Sequence, residues 1–162
     1  MIILGIDPGL ATVGYGVVLK SPRGIEAIDY GIISTPPFED TPVRLALIAD
    51  GMSKLIDAHK PDCVVIEELF FNTNITTGIK VAEARGVILY KASSECGHIF
   101  EYTPLQVKSA LTGNGRADKK QVQYMVQAAL RLKQAPKPDD AADALALAIC
   151  HANMSAHGQR RA

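Results

Sequence analysis

Three places far apart in the chain end or open an apolar segment with acid. Ile2-Ile3-Leu4-Gly5-Ile6 runs into Asp7 and then Pro8-Gly9. Cys63-Val64-Val65-Ile66 runs into Glu67-Glu68, and Asp139-Asp140-Ala141-Ala142-Asp143 opens a further apolar stretch. A carboxylate at the end of a buried element is expensive to keep charged unless a cation meets it. Gathered together, such acids suit Mg²⁺, which takes hard oxygen ligands; the four histidines and three cysteines show no spacing that competes for a softer metal. Two-metal phosphoryl-transfer sites need several carboxylates, because two ions about 3.5–4 Å apart must be held while also meeting a phosphate. Each acid alone has a plainer explanation. Asp7 suits an Asx-type turn, and Asp140 and Asp143, in the first turn of a helix, suit the positive end of its dipole. It is the combination that points to a metal site.

The elements that must carry these acids can be read from periodicity and punctuation. Ile2 to Asp7 is a strand buried on both faces and stopped by Pro8-Gly9. Val13–Leu19 is a second strand whose glycines suit close approach of another group, and Ile25–Ser34 a third, with short turns that favour an antiparallel meander. Thr41 reads as an N-cap before Pro42, opening a helix to about Lys60. The Cys63–Glu67 strand follows, then a helix from about Thr77 to Ser94 and a short strand from His98 to Tyr102. Thr103-Pro104 starts a helix that Gly113-Asn114-Gly115 ends; Asp118 with Gln121 forms a capping box for another to about Leu132; the last runs from about Asp139 to Asn153. This order predicts an α/β fold, a mixed five-stranded sheet flanked by helices. If the first and fourth strands pair in parallel, Asp7 and Glu67 end side by side. Residues 1–153 are expected to form one domain, and 154–162 a flexible tail.

At 162 residues and 48% hydrophobic composition, the chain is long enough for one domain with its own core. Seventeen basic and seventeen acidic residues cancel, so attraction to nucleic acid would need a local basic face. Cys63, Cys96 and Cys150 lack paired spacing and read as reduced thiols of a cytoplasmic protein. No apolar run approaches a membrane span, so no membrane partner is expected.

The chain resembles the RuvC family of crossover junction endodeoxyribonucleases, which have a ribonuclease H-like fold. The matching motifs are Gly5-Ile6-Asp7-Pro8-Gly9 with Gly14-Tyr15-Gly16; Ile66-Glu67 followed by Phe70; Ala84-Arg85-Gly86; Gln106-Val107-Lys108; Lys119 before Gln121-Val122; and Asp140-Ala141-Ala142-Asp143-Ala144-Leu145-Ala146. They run in the family's order through about His151. The resemblance implies that Asp7, Glu67, Asp140 and Asp143 are the catalytic, metal-binding acids. They would hold two Mg²⁺ per site, with Mn²⁺ able to substitute; some members carry histidine where Asp140 stands. It also implies that Lys108 and Lys119 lie near substrate phosphates, with Arg85, Lys80, Arg116 and Lys120 as further candidates for the same surface, and that Phe70 stacks on unpaired bases. The implied activity is resolution of four-way Holliday junction DNA by paired cuts in recombination and repair. A homodimer would make those cuts, beside a junction-binding protein and a branch-migration motor. The helix near Thr77, with Ile79, Val81, Val87 and Ile88, is a candidate dimer face as well as a candidate for core packing.

Three rivals stay open on the residues alone. A phosphate-binding ATPase of the actin and sugar-kinase type shares the strand–Asp–Gly hairpin but needs two such lobes, and no second is evident. A ribonuclease H-like enzyme acting on RNA or transposon ends would use the same acids. A non-catalytic junction-binding module would gain nothing by setting four acids near phosphates.

Overall fold

In the computed structural model, which describes residues 1–69 and 75–155, the expected apolar runs pair as one five-stranded sheet. β1 (Ile2–Asp7), β2 (Thr12–Ser21) and β3 (Gly24–Ser34) make the antiparallel meander, while β4 (Cys63–Glu67) and β5 (Ile99–Tyr102) add parallel to β1. The spatial order is β3-β2-β1-β4-β5. The helices are α1 (Thr41–His59), α2 (Ile75–Glu95), α3 (Pro104–Thr112), α4 (Lys119–Ala129) and α5 (Asp139–Ser155). No helix among the described residues is long and apolar enough to cross a membrane.

Strand alternation sorts the core into two layers. Leu4, Ile6, Val17, Val64 and Ile66 pack with Ile48, Met52 and Ile56 of α1 and Ala84, Ile88 and Ala92 of α2. Ile3, Val18, Cys63 and Val65 pack on the opposite face with α5 and with Val107, Leu111, Val122 and Val126 of α3 and α4. Continuing the same alternation sends the side chains of Asp7 and Glu67 to the α5 face. The parallel register Ile6–Ile66 puts the two acids at neighbouring strand ends.

Helix α5 lies on β1 and β2 with almost nothing between the backbones. A Cβ at Gly5 would sit 2.1 Å from the Ala144 carbonyl oxygen, and one at Gly14 2.0 Å from that of Asp140. One at Gly16 would meet the Leu145 nitrogen at 2.8 Å. The helix answers with alanines: Ala141, Ala142, Ala144, Ala146, Ala148 and Ala152 are all buried. Its far end is fastened by Lys20, whose Nζ donates to the Ala152 carbonyl at 2.5 Å and lies 3.1 Å from Ser155 Oγ. Tyr102 Oη lies 2.9 Å from Nδ1 of the buried His151, tying β5 to the same helix. The turn after Asp7 is pinned by the buried Thr35. Its hydroxyl donates to the Leu10 carbonyl at 2.6 Å and accepts from Arg44 Nε at 2.8 Å.

The element boundaries depart from expectation in a few places. The first residue of α1 is Thr41 and its N-cap is Asp40, whose side chain makes no capping bond. Helix α4 stops at Ala129 rather than near Leu132, because Arg131 turns into the left-handed region at φ 52°. Helix α5 continues through Ser155, two residues past Asn153. Of the apolar residues suggested for a dimer face, Ile88 is wholly core and Val87 packs against core, whereas Ile79 is 53% exposed.

The α5 contact can be tested by substitution. Gly5→Ala forces its methyl against backbone, which cannot swing aside, and is expected to destabilise the protein by about 1–3 kcal/mol or more. A urea melt reads this as a lowered midpoint with an unchanged slope.

Candidate functional site

One cleft gathers three of the four predicted acids and two of the predicted lysines. Asp7 comes from the end of β1, Glu67 from the end of β4 and Asp143 from the first turns of α5. Lys108 and Lys119 line the same cleft, together with Val107, Val122, Ala146 and Leu147. The two lysines are placed by helix starts that their own sequences fix. Thr103 and Gln106 form a reciprocal capping box at the head of α3, and Asp118 and Gln121 do the same for α4. Lys119 is therefore the first residue of a well-defined helix, not of a loose loop.

The electrostatics of the acids is strained. Burial first, and then the charges of Glu67, Asp143 and Asp140, push the Asp7 carboxyl up to about 8. Glu67 is also raised, by burial and then by Asp143, with Lys108 pulling the other way. Burial raises Asp143 against the opposing pull of Lys119. The Lys119 ammonium lies 3.4 Å from Asp143 Oδ2 and 3.3 Å from Asp139 Oδ2. Burial works against its charge, but these acids outweigh it and hold its proton more tightly than usual. Gln123 Nε2 steadies Asp139 at 3.0 Å.

A donor set of carboxylates alone, crowded until they repel one another, fits a hard divalent cation such as Mg²⁺. The thiols and imidazoles lie elsewhere: Cys63 and Cys150 are buried in the core, and His151 is engaged by Tyr102. Among the described residues, no three acidic, histidine or cysteine side chains already stand in ligand geometry. The acids are near one another but not closed on a common point, with Lys119 as the neighbouring cation.

The other expected site residues fall in three different situations. Asp140 is half-buried beside the cleft, close enough for Asp7 and Asp143 to feel its charge, but it is not among the residues lining it. Arg85 is largely enclosed on α2, with only 15% of its side chain exposed. Its Nε donates to the Glu67 carbonyl at 3.2 Å and its Nη2 pairs with Glu101. Phe70 lies outside the described residues. The sequence reading did not single out Asp139 as the second partner of Lys119, or Glu101 as the partner of Arg85. An acid one residue from the Asp140–Asp143 pair was a usable signal for Asp139. Glu101, one polar residue in a short strand, offered none.

The sequence profile of crossover junction endodeoxyribonuclease RuvC matches residues 3–151. The chain belongs to the RuvC family. It is 55% identical over 159 residues to the crossover junction endodeoxyribonuclease RuvC of Alkaliphilus metalliredigens, covering 98% of this chain and 96% of that one. Among solved structures, Thermus thermophilus RuvC superposes with a TM-score of 0.92 at 34% identity, covering 99% of each chain. T. thermophilus RuvC in complex with a Holliday junction substrate superposes with a TM-score of 0.93 at 35% identity, covering 99% of this chain and 98% of that one. The fold is the ribonuclease H-like one of that family.

The raised Asp7 carboxyl has a direct consequence for stability. Unfolded, the group releases its proton near the ordinary 3.8; folded and cation-free, it keeps it up to about 8. Between those values the folded state binds more protons, so stability falls as pH rises through that window. Asp7→Asn removes that group's share of the dependence. In EDTA, its melting temperature relative to that of the unaltered protein should be higher near pH 8 than near pH 5, by about 2–4 °C for each kcal/mol of burial and repulsion cost removed. Mg²⁺ should close the gap at pH 8. Parallel melting curves at both pH values check this.

Proposed function

We propose that this chain resolves four-way DNA junctions by metal-dependent phosphodiester hydrolysis, with Asp7, Glu67, Asp140 and Asp143 as its metal ligands. One observation carries the reading: in a chain of the RuvC family, carboxylates from β1, β4 and α5 crowd into a single cleft faced by two lysines. When bound, two Mg²⁺ ions, or Mn²⁺ in their place, supply an activated water and neutralise charge on the phosphate and its leaving 3′ oxygen. The four carboxylates hold and space that charge. Lys108 and Lys119 line the cleft with the acids, which supports a role in offsetting the charge of a bound phosphate. Asp139 shares Lys119 with Asp143 and so keeps the ammonium at the cleft mouth until a cation relieves it. The product of attack opposite the 3′ oxygen carries a 5′ phosphate. By the family pattern, Phe70 stacks on bases exposed at the crossover, a contact worth about 1–3 kcal/mol per base.

Paired cuts on opposite strands call for a two-fold symmetric homodimer, and α2 supplies the face best suited to it. Ile79 is 53% and Tyr90 70% exposed, and Glu83 and Gly86 lie on the same stripe. A Cβ at Gly86 would meet nothing within 4 Å in this chain. A helix-interior glycine costs about 1 kcal/mol relative to alanine, and close approach of a second α2 accounts for it. We extend the assembly, on the family resemblance, to a junction-binding protein and a branch-migration motor. Three free thiols, two of them buried, suit a cytoplasmic setting.

Two experiments test this reading. Asp7→Asn, Glu67→Gln and Asp143→Asn should each abolish cutting of a mobile synthetic junction while preserving or tightening its binding, since each removes negative charge facing phosphate. Mg²⁺ and Mn²⁺ should support cleavage, and Ca²⁺ binding alone; cutting in EDTA, or equal cutting of plain duplex or RNA–DNA hybrid, would sink it. For the dimer, Gly86→Leu fills open space and should leave the fold intact while shifting sedimentation from dimer to monomer. An unchanged dimer would move the interface elsewhere.

A further inference from the structure

The sequence pattern sets Arg85 among residues facing substrate phosphate, but its surroundings point another way. Along β4, Val64 and Ile66 face α1 and α2 whereas Cys63 and Val65 face α5, so the Glu67 carboxylate projects to the α5 side. Along β5, Ile99 faces the α2 side and Phe100 and Tyr102 the α5 side, which sends Glu101 toward α2. Arg85 therefore stands behind the sheet from the acidic cleft. It meets Glu101 there and reaches the Glu67 backbone, not its carboxylate. Pairing of β4 with β1 ends at Ile66, one residue short of Glu67, so on that side the strand end is no longer held by the ladder. On the other side, Glu67 registers with Tyr102, and Glu68 N donates to the Tyr102 carbonyl at 2.9 Å.

We propose that Arg85, held by Glu101 on the reverse face of the sheet, is a positioning residue for Glu67 and not a contact to DNA phosphate. Its planar guanidinium serves two acceptors at once, the Glu67 carbonyl and the Glu101 carboxylate, which a single ammonium point charge does not reproduce. The link joins α2, β4 and β5 at one residue and fixes the peptide from which the Glu67 side chain springs. Loss of an outer support of this kind typically costs 10- to 100-fold in activity or metal affinity. The inference rests on the proposed role of Glu67 in catalysis.

The test uses the whole chain with four variants: Arg85→Gln, Arg85→Lys, Glu101→Gln and Glu67→Gln. Junction binding is titrated in EDTA across a salt series, and single-turnover cleavage is measured in Mg²⁺, with melting temperatures for each protein. A phosphate contact contributes about 0.9 to the slope of log affinity against log salt. We expect Arg85→Gln to leave that slope unchanged, and Arg85→Lys and Glu101→Gln each to slow cleavage by about 10- to 100-fold. Glu101→Gln is decisive, because it keeps shape at a position whose side chain is 40% exposed. It also removes an acid, so a merely electrostatic DNA contact would be strengthened by it. A slope reduced by about one in Arg85→Gln, or near-normal cleavage by Arg85→Lys or Glu101→Gln, overturns the inference. So does a loss of cleavage that only tracks the folded fraction. Full activity of Glu67→Gln would instead overturn the catalytic role of Glu67 itself, and the inference with it.

Discussion

Everything at the acidic cleft depends on how closely α5 lies against β1 and β2. Three positions without a side chain, Gly5, Gly14 and Gly16, let two backbones meet where any Cβ would overlap the helix. That contact is what carries Asp140 and Asp143 to the level of Asp7. Larger residues at the seam would move the whole first turn of α5 outward and separate the acids that belong to different elements. The alanine-rich composition of α5 follows from the same constraint: a helix pressed onto a sheet at backbone range has room for methyl groups and little else.

Bringing the acids together costs stability. Burial and mutual repulsion hold the Asp7 carboxyl up to about 8, and Glu67 and Asp143 are raised in the same sense. A protein selected for stability alone would not keep three carboxylates in one half-buried place, and here the rest of the fold offsets the repulsion. The turn after Asp7 is pinned through Thr35 and Arg44, the end of α5 by Lys20, and β5 by the Tyr102–His151 bond. Stiff supports around an unfavourable charge cluster are the expected signature of a site prepared for a cation.

The succession of strands and helices along the chain was legible because apolar runs, turn residues and alternation all agree there. The parallel pairing of β1 with β4, on which the convergence of Asp7 with Glu67 was conditional, is what the structure adds. The heads of α3 and α4 were legible too, from Thr103-Pro104 and from the Asp118–Gln121 capping box, whereas the place of Lys119 beside the acids came from the family resemblance. The depth at which Asp140 sits was not legible. Helical periodicity puts it on the same face as Asp143, but only the tilt of α5 on the sheet decides that one lines the cleft and the other lies beside it. Nor was the side of the sheet on which Arg85 stands. A basic residue in a nuclease-like motif reads as a phosphate contact, and its pairing with Glu101 depends on the register of β5 against β4, which no local pattern encodes. The early end of α4 had the same character, set by the left-handed turn at Arg131 where the sequence showed no glycine.

The contact between β1 and α5 also governs when during synthesis this protein acquires its chemistry. Asp7 leaves the ribosome long before Asp143, and α5 packs with α3 and α4 on one face of the sheet. Chains emerge from their N-terminal end, and contacts between residues this distant in sequence wait until α5 has emerged. Until α5 docks, Asp140 and Asp143 stay apart from Asp7 and Glu67, and Gly5, Gly14 and Gly16 face no helix. A nascent or truncated chain lacking α5 therefore carries only Asp7 and Glu67 of the four acids and lacks the α5 wall of the cleft.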